Sequence, residues 1–236
     1  EDSQTLSNSP KTFTQLNSDI NESQYTFEVK YDYTFDNQSD DGPVLIDKSD
    51  FTINGNNHVL DGNRQSGILE IVGNNVTINN LVFINGNSDC GGAIYSTGQL
   101  TLNNVTFINN NASKGGGAIL QMGSVITCNN SRFIDNYAEG GSSIGSSEAT
   151  LIVCNSFVTS NRSSKYGQIY ASMSTVIMDN VDFVNISSAY APALYLRYCE
   201  SSIINSSFVN LTGDKSAGAI AIRWSGNSYI KGCEFI

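Results

Sequence analysis

The stretch GAIYSTGQLTLNNVTFINNNASKGG, from Gly92 to Gly116, holds one complete unit of the architecture. Ala93, Ile94 and Tyr95 open a short strand, and Gly98 turns it. Leu100 and Leu102 alternate with polar neighbours as a second strand, and Val105-Thr106-Phe107 makes a third. The Asn run 109–111 and Gly115-Gly116 bring the chain back to its start. Three short strands joined by turns form one coil of a parallel β-helix.

The unit recurs along the chain. Phe83, Phe107, Phe133, Phe157, Phe183, Phe208 and Phe235 are spaced by 24 to 27 residues. Leu69, Ile94, Ile119, Ile144, Ile169, Leu194 and Ile220 keep the same interval, 25 or 26 residues. Two apolar columns with one shared period signify a solenoid. The expected fold is all-β: a single-stranded parallel β-helix of about seven coils. Coils spaced by about 4.8 Å would make a rod of roughly 34 Å.

Three residues before each Phe stand Asn80, Asn104, Asn130, Cys154, Asn180, Asn205 and Gly232. Asn and Gly enter the left-handed region most readily, so this column predicts a tight bend in every coil. Stacked Asn80, Asn104, Asn130, Asn180 and Asn205 can bond to one another as an amide ladder. Cys154 interrupts the column, and a local distortion is expected there.

The N-terminal part departs from the period. Thr12 with Gln15 fits a capping box, and Phe13, Leu16 and Ile20 give an apolar helical face. Residues 1–11 read as a flexible terminus, 12–50 as a cap with a short helix, and 51–236 as the β-helix. A cap is needed because an open solenoid end exposes strand edges and core side chains. The chain stops at Phe235-Ile236 in the middle of a coil, which reads as truncation of a longer protein.

Composition narrows the function. The chain has 236 residues with 12 Lys+Arg against 22 Asp+Glu, a net charge of −10, which disfavours nucleic acid as a partner. No run of 18 apolar residues occurs, so no direct membrane insertion is expected from this segment. Five cysteines without CxxC spacing argue against a metal site. Cys128 occupies an inward position as a small hydrophobe. Cys128 and Cys154 lie in adjacent coils but two residues out of step, which sets them against a disulfide. No cofactor is implied.

GGAI at 91–94 and 116–119, AGAI at 217–220, FINN at 107–110 and FIDN at 133–136 are similar to the repeats of surface autotransporters of the chlamydial polymorphic-membrane-protein type. VLIDKSDFTINGNNHVLDG, residues 44–62, resembles still more the adhesin-like β-helix proteins of methanogenic archaea. The resemblance covers residues 12–236 and implies a pectate-lyase-like right-handed β-helix on a cell surface or secreted. GSSI at 141–144, YGQI at 166–169 and APAL at 191–194 keep only the hydrophobic anchor of the motif.

Enzymes of that architecture imply paired carboxylates, or a calcium cluster with a basic residue. In the two outward columns that follow the aliphatic anchors, Glu70 is the only carboxylate. Asp135, Asp182 and Glu234 are separated by a coil or more, and the lone His58 reads as a turn residue. No catalytic residue is assigned. Instead Tyr170, Tyr195 and Tyr198 gather with Arg197, Arg223 and Trp224 in three adjacent coils. Aromatic faces stack on sugars and arginines grip hydroxyls or carboxylates, so these six form the candidate ligand surface. The expected role is adhesion to a cell-surface glycan or protein. A polysaccharide lyase or glycoside hydrolase is the alternative, and a passive stalk the third reading. Of the N-x-S/T sequons, Asn111 and Asn161 lie in turns and are the expected glycan acceptors.

Overall fold

A computed structural model describes residues 10–236. Residues 1–9 of the expected flexible terminus lie outside the described residues, and Lys11 is paired by a bridge to Tyr33. The chain is a parallel β-solenoid with a single helix among the described residues.

One wall is an eight-stranded sheet of Val44–Ile46, Leu69–Ile71, Ile94–Ser96, Ile119–Met122, Ile144–Ser147, Ile169–Ser172, Leu194–Arg197 and Ile220–Arg223. Every pairing in it is parallel, and the aliphatic anchors lie in register: Leu69 opposite Ile94, Ile94 opposite Ile119, and so on to Leu194 opposite Ile220. The solenoid therefore has eight turns, one more than the phenylalanines mark. The extra turn escaped the count because Leu60 fills the place of a Phe, opposite Phe83. The other two walls share a sixteen-stranded sheet. In Thr150–Thr159 and Thr175–Ser188 the strand runs unbroken from one wall into the next.

The core is a stack of like side chains. Phe83, Phe107 and Phe133 stack with centroids 5.0 and 5.1 Å apart, and Phe183, Phe208 and Phe235 continue at 5.3 and 4.8 Å. Phe157 is not in this column. Val158 lies opposite Phe133 and Phe183, while Phe157 pairs with Arg132 and Asp182 and packs its ring under the Arg132 guanidinium. The reason lies in the distance from the anchor: Phe133, Val158, Phe183 and Phe208 each follow theirs by fourteen residues.

The same one-residue shift resolves the Cys154 anomaly. Positive φ values of 49° to 56° fall on Asn80, Asn104, Asn130, Asn155, Asn180 and Asn205, so the bend column is continuous and Asn155 belongs to it. Its amide ladder is partial. Asn104 donates to Asn80 at 2.8 Å and Asn180 to Asn155 at 3.0 Å, whereas Asn155 reaches Asn129 and Asn205 reaches Asp179. Other ladders flank it: Asn103 donates to Asn79 and Asn79 to Asn54, and Asn109 donates to Asn85. Every rung donates toward the preceding coil, so two of these ladders end on carboxylates, Glu28 for the first and Asp61 for the second. Aligned amide dipoles favour an anion at the acceptor end.

The helix Phe13–Glu22 closes the N-terminal end with Phe13, Leu16 and Ile20 inward. Its capping box is formed: Gln15 N–H donates to the Thr12 hydroxyl, and Thr12 N–H to the Gln15 side chain at 3.0 Å. Buried Asp40 accepts from the Phe13, Thr14 and Asp36 amides at 3.0, 2.7 and 2.8 Å. All five cysteines are free; Cys128 lies opposite Val153 and points into the core, while Cys154 lies opposite Asn129.

Candidate functional site

The strand Leu194–Arg197 and its neighbour Ile220–Arg223 position the candidate residues. In register, Tyr195 lies opposite Tyr170 on one side and Ala221 on the other, and Arg197 lies directly opposite Arg223. Like charges opposite one another on a sheet destabilise it. Among the described residues neither guanidinium has a carboxylate within ion-pair distance. Arg197 instead donates to the Tyr170 hydroxyl at 3.3 Å, and its Nε is buried without a partner.

Tyr198 and Trp224 follow these arginines on the adjoining turn. Their rings stack at 5.5 Å and 18°, with 52% and 63% of each residue exposed. The Arg197 guanidinium lies 5.1 Å from the Trp224 ring centroid and 5.8 Å from that of Tyr198. Both aromatic residues have left-handed backbone, φ 53° and 51°. The equivalent turn position in the preceding coils carries Gly123, Glu148 and Met173, all with positive φ. A bulky residue in this region costs about 1–2 kcal/mol relative to glycine, so the rings are held out to solvent at the expense of stability.

Tyr195 stands differently from the other five. The sequence pattern places it as an outward, available ring, but it is 5% exposed, enclosed by Tyr170 at 5.8 Å, Tyr166 at 4.9 Å and Tyr190 at 6.4 Å. Tyr166 and Tyr190 arrive from the turns that precede the sheet strands and cover its outer face. Tyr195 thus supports the patch from below, with Arg223 over its ring at 5.4 Å. Arg197, Tyr198, Arg223 and Trp224 make the open surface, and Tyr170 joins it through its hydroxyl.

Beside this patch is a recess of about 460 Å³ lined by Glu148, Met173, Tyr198 and Glu200. The outward sheet columns miss these two carboxylates because Glu148 lies at the turn beyond the strand Ile144–Ser147 and Glu200 opens the next strand, Glu200–Ile204. Neither makes a side-chain hydrogen bond or ion pair among the described residues. They stand two coils apart, about 10 Å along the rod.

The remaining acidic and basic residues of interest are engaged elsewhere. His58 Nδ1 lies 3.0 Å from Asp32, which also accepts the Val59 amide. Asn111, expected as a glycan acceptor, donates to Asn87 and accepts from Arg162, so a glycan there would break both bonds; Asn161 is exposed. Among the described residues no group of three or more His, Cys, Asp or Glu is placed to hold a metal ion, and no helix is long and apolar enough to cross a membrane. No family model matches the chain, and no curated protein matches it significantly.

Proposed function

We propose that this solenoid is an adhesin-like recognition domain, secreted or displayed on a cell surface, that binds a glycan or another surface through Arg197, Tyr198, Arg223 and Trp224 without catalysis. The observation that carries the reading is the pair of exposed, stacked aromatics on left-handed backbone beside two in-register arginines that make no ion pair among the described residues. Such an arrangement costs stability twice, and a ligand supplying a sugar face and an acidic or hydroxyl group would offset both costs. The resemblance of residues 44–62 to adhesin-like β-helix proteins, and of the GGAI and FIDN repeats to surface autotransporters, supports the same role.

The test is a glycan array probed with the purified chain and with Trp224→Gly. Binding to a restricted set of glycans, lost in the variant, supports recognition. Absence of binding by both chains to glycans and to intact cells would leave a passive stalk.

A second reading has its own observation. Glu148 and Glu200 line one recess, two coils apart, and neither carboxylate is hydrogen-bonded or ion-paired among the described residues. A polysaccharide degradation screen with Glu148→Gln and Glu200→Gln decides it: turnover abolished by either substitution would replace adhesion by hydrolysis.

A further inference from the structure

We infer a second site, built for an oxyanion, on a different turn of the rod. It does not rest on the adhesion reading and shares no residue with the aromatic patch. A recess of about 270 Å³ is lined by Arg64, Gly86, Asn87, Asn109, Asn111 and Arg162. The chain carries only 12 Lys+Arg and a net charge of −10, yet two arginines and no carboxylate line this recess.

Arg162 is held in place by neutral groups. Its guanidinium lies 4.6 Å from the Tyr137 ring centroid, Nη2 donates to Asn111 Oδ1 at 3.2 Å, and Nη1 lies 3.5 Å from the Asp135 carbonyl oxygen. The side chain thus folds back across two coils to reach Asn111 and makes no ion pair among the described residues. Arg64 stands at the other end, on a turn with φ 58°, and its side chain has no hydrogen bond or ion pair among the described residues.

Between them runs an asparagine ladder. Asn111 Nδ2 donates to Asn87 Oδ1 at 3.0 Å, and Asn87 Nδ2 donates to the Arg64 carbonyl oxygen at 3.1 Å. The ladders through Asn79 and Asn85 end on carboxylates at the acceptor side; here Arg162 closes the opposite side by donating into the last free acceptor. That contact fixes the orientation of both amides, and each –NH2 has a second N–H left unused. The nearest acids are already occupied: Asp61 accepts from Asn63 and Asn85, and Asp135 from the Asn161 amide.

Two guanidiniums with oriented amide donors between them make a cradle for a carboxylate or sulfate. The volume suits a small hydrophilic ligand, such as one acidic sugar residue or the free ion.

The test follows the side-chain amide signals of Asn87 and Asn111 by ¹⁵N–¹H NMR while the full chain is titrated with glucuronate, glucose or sodium sulfate at low ionic strength. Saturable shifts of these signals are expected with glucuronate or sulfate and not with glucose. Arg64→Gln and Arg162→Gln should each weaken the anion by about tenfold or more. Tighter binding of glucuronate than sulfate identifies a sugar carboxylate as the ligand chemistry; the reverse order identifies sulfate. Should Arg162→Gln unfold, shown by circular dichroism, Arg64→Gln at its exposed turn carries the test alone. Equal shifts with glucose, no saturable shift with either anion, or affinities unchanged in the arginine variants would overturn the site.

Discussion

Tyr198 and Trp224 stack across adjacent coils at 5.5 Å, and both adopt a backbone conformation that favours glycine. The turn position they share runs from Gly123 through Glu148 and Met173 to the two aromatics, so side-chain bulk grows along the rod while φ stays near 50–63°. Packing cannot explain this choice, since both rings are largely exposed. Replacing Tyr198 by glycine removes a strain of about 1–2 kcal/mol and a stacked pair of about 0.5–1.5 kcal/mol. Tyr198→Gly should therefore change the unfolding free energy by between about −0.5 and +1.5 kcal/mol while abolishing ligand binding. Chemical denaturation and glycan binding measured on the same preparation check both halves. A loss of stability above about 1 kcal/mol would show that the rings are structural.

The core column gives a sharper contrast. Phe107 is fully buried between Phe83 and Phe133, so Phe107→Ala should cost about 3–5 kcal/mol. Phe157 looks equivalent by sequence but lies outward against Arg132, and Phe157→Ala should cost less than about 1.5 kcal/mol. Urea unfolding of the two variants separates the registers: equal losses would mean that Phe157 belongs to the core column after all.

Thiol chemistry should follow burial. Burial pushes the Cys128 and Cys199 thiols up from their ordinary value, and Cys128 is fully enclosed. Only the thiolate is nucleophilic, so both should resist alkylation in the native state. Burial also raises the Cys154 thiol, aided by the negative charge of Asp179, although Cys154 is partly accessible. Mass spectrometry after brief treatment with iodoacetamide at pH 8 should find Cys90 and Cys233 modified first and Cys128 last. Early modification of Cys128 would contradict its place in the core.

The fold was legible in the sequence because inward positions repeat under one constraint, the stacking of like side chains every coil. That constraint fixes Ile94 over Leu69 and Asn104 over Asn80 with no reference to distant sequence. The misreading of Phe157 arose from following residue type; counting fourteen residues from Ile144 points to Val158 and recovers Asn155 as the bend residue. The candidate site was only half legible. Arg197 and Trp224 stand out as breaks in the outward pattern, but the burial of Tyr195 depends on Tyr166 and Tyr190, which lie in the turns before the sheet strands and outside the aligned columns. Glu148 sits in a regular turn column and Glu200 at the start of the strand Glu200–Ile204, outside the two outward columns, while Arg64 and Arg162 lie in turns that only the fold brings together.

The cap should set the acid sensitivity of the whole rod. Burial alone would raise the Asp40 carboxyl, but the backbone amides of Asp36, Thr14 and Phe13 donate to it and outweigh burial, holding it below the usual carboxylate range. A carboxyl whose folded pKa is depressed contributes its stability above the unfolded value of about 3.9, and loses it as pH falls through the folded value. Two of those amides, Phe13 and Thr14, belong to the first turn of the capping helix, where a negative charge also suits the helix dipole. Asp40→Asn keeps the size but loses the charge, and should destabilise the protein at pH 7 by about 1–3 kcal/mol. Below about pH 4 the carboxyl of the unfolded chain takes up a proton before the folded one does, so the gap between the two proteins should narrow as pH is lowered. Other carboxylates titrate in both proteins and cancel in the difference. Denaturant titrations of both chains at pH 7, 5 and 3 measure that gap directly, and a gap that stays constant down to pH 3 would mean that the Asp40 charge does not hold the cap.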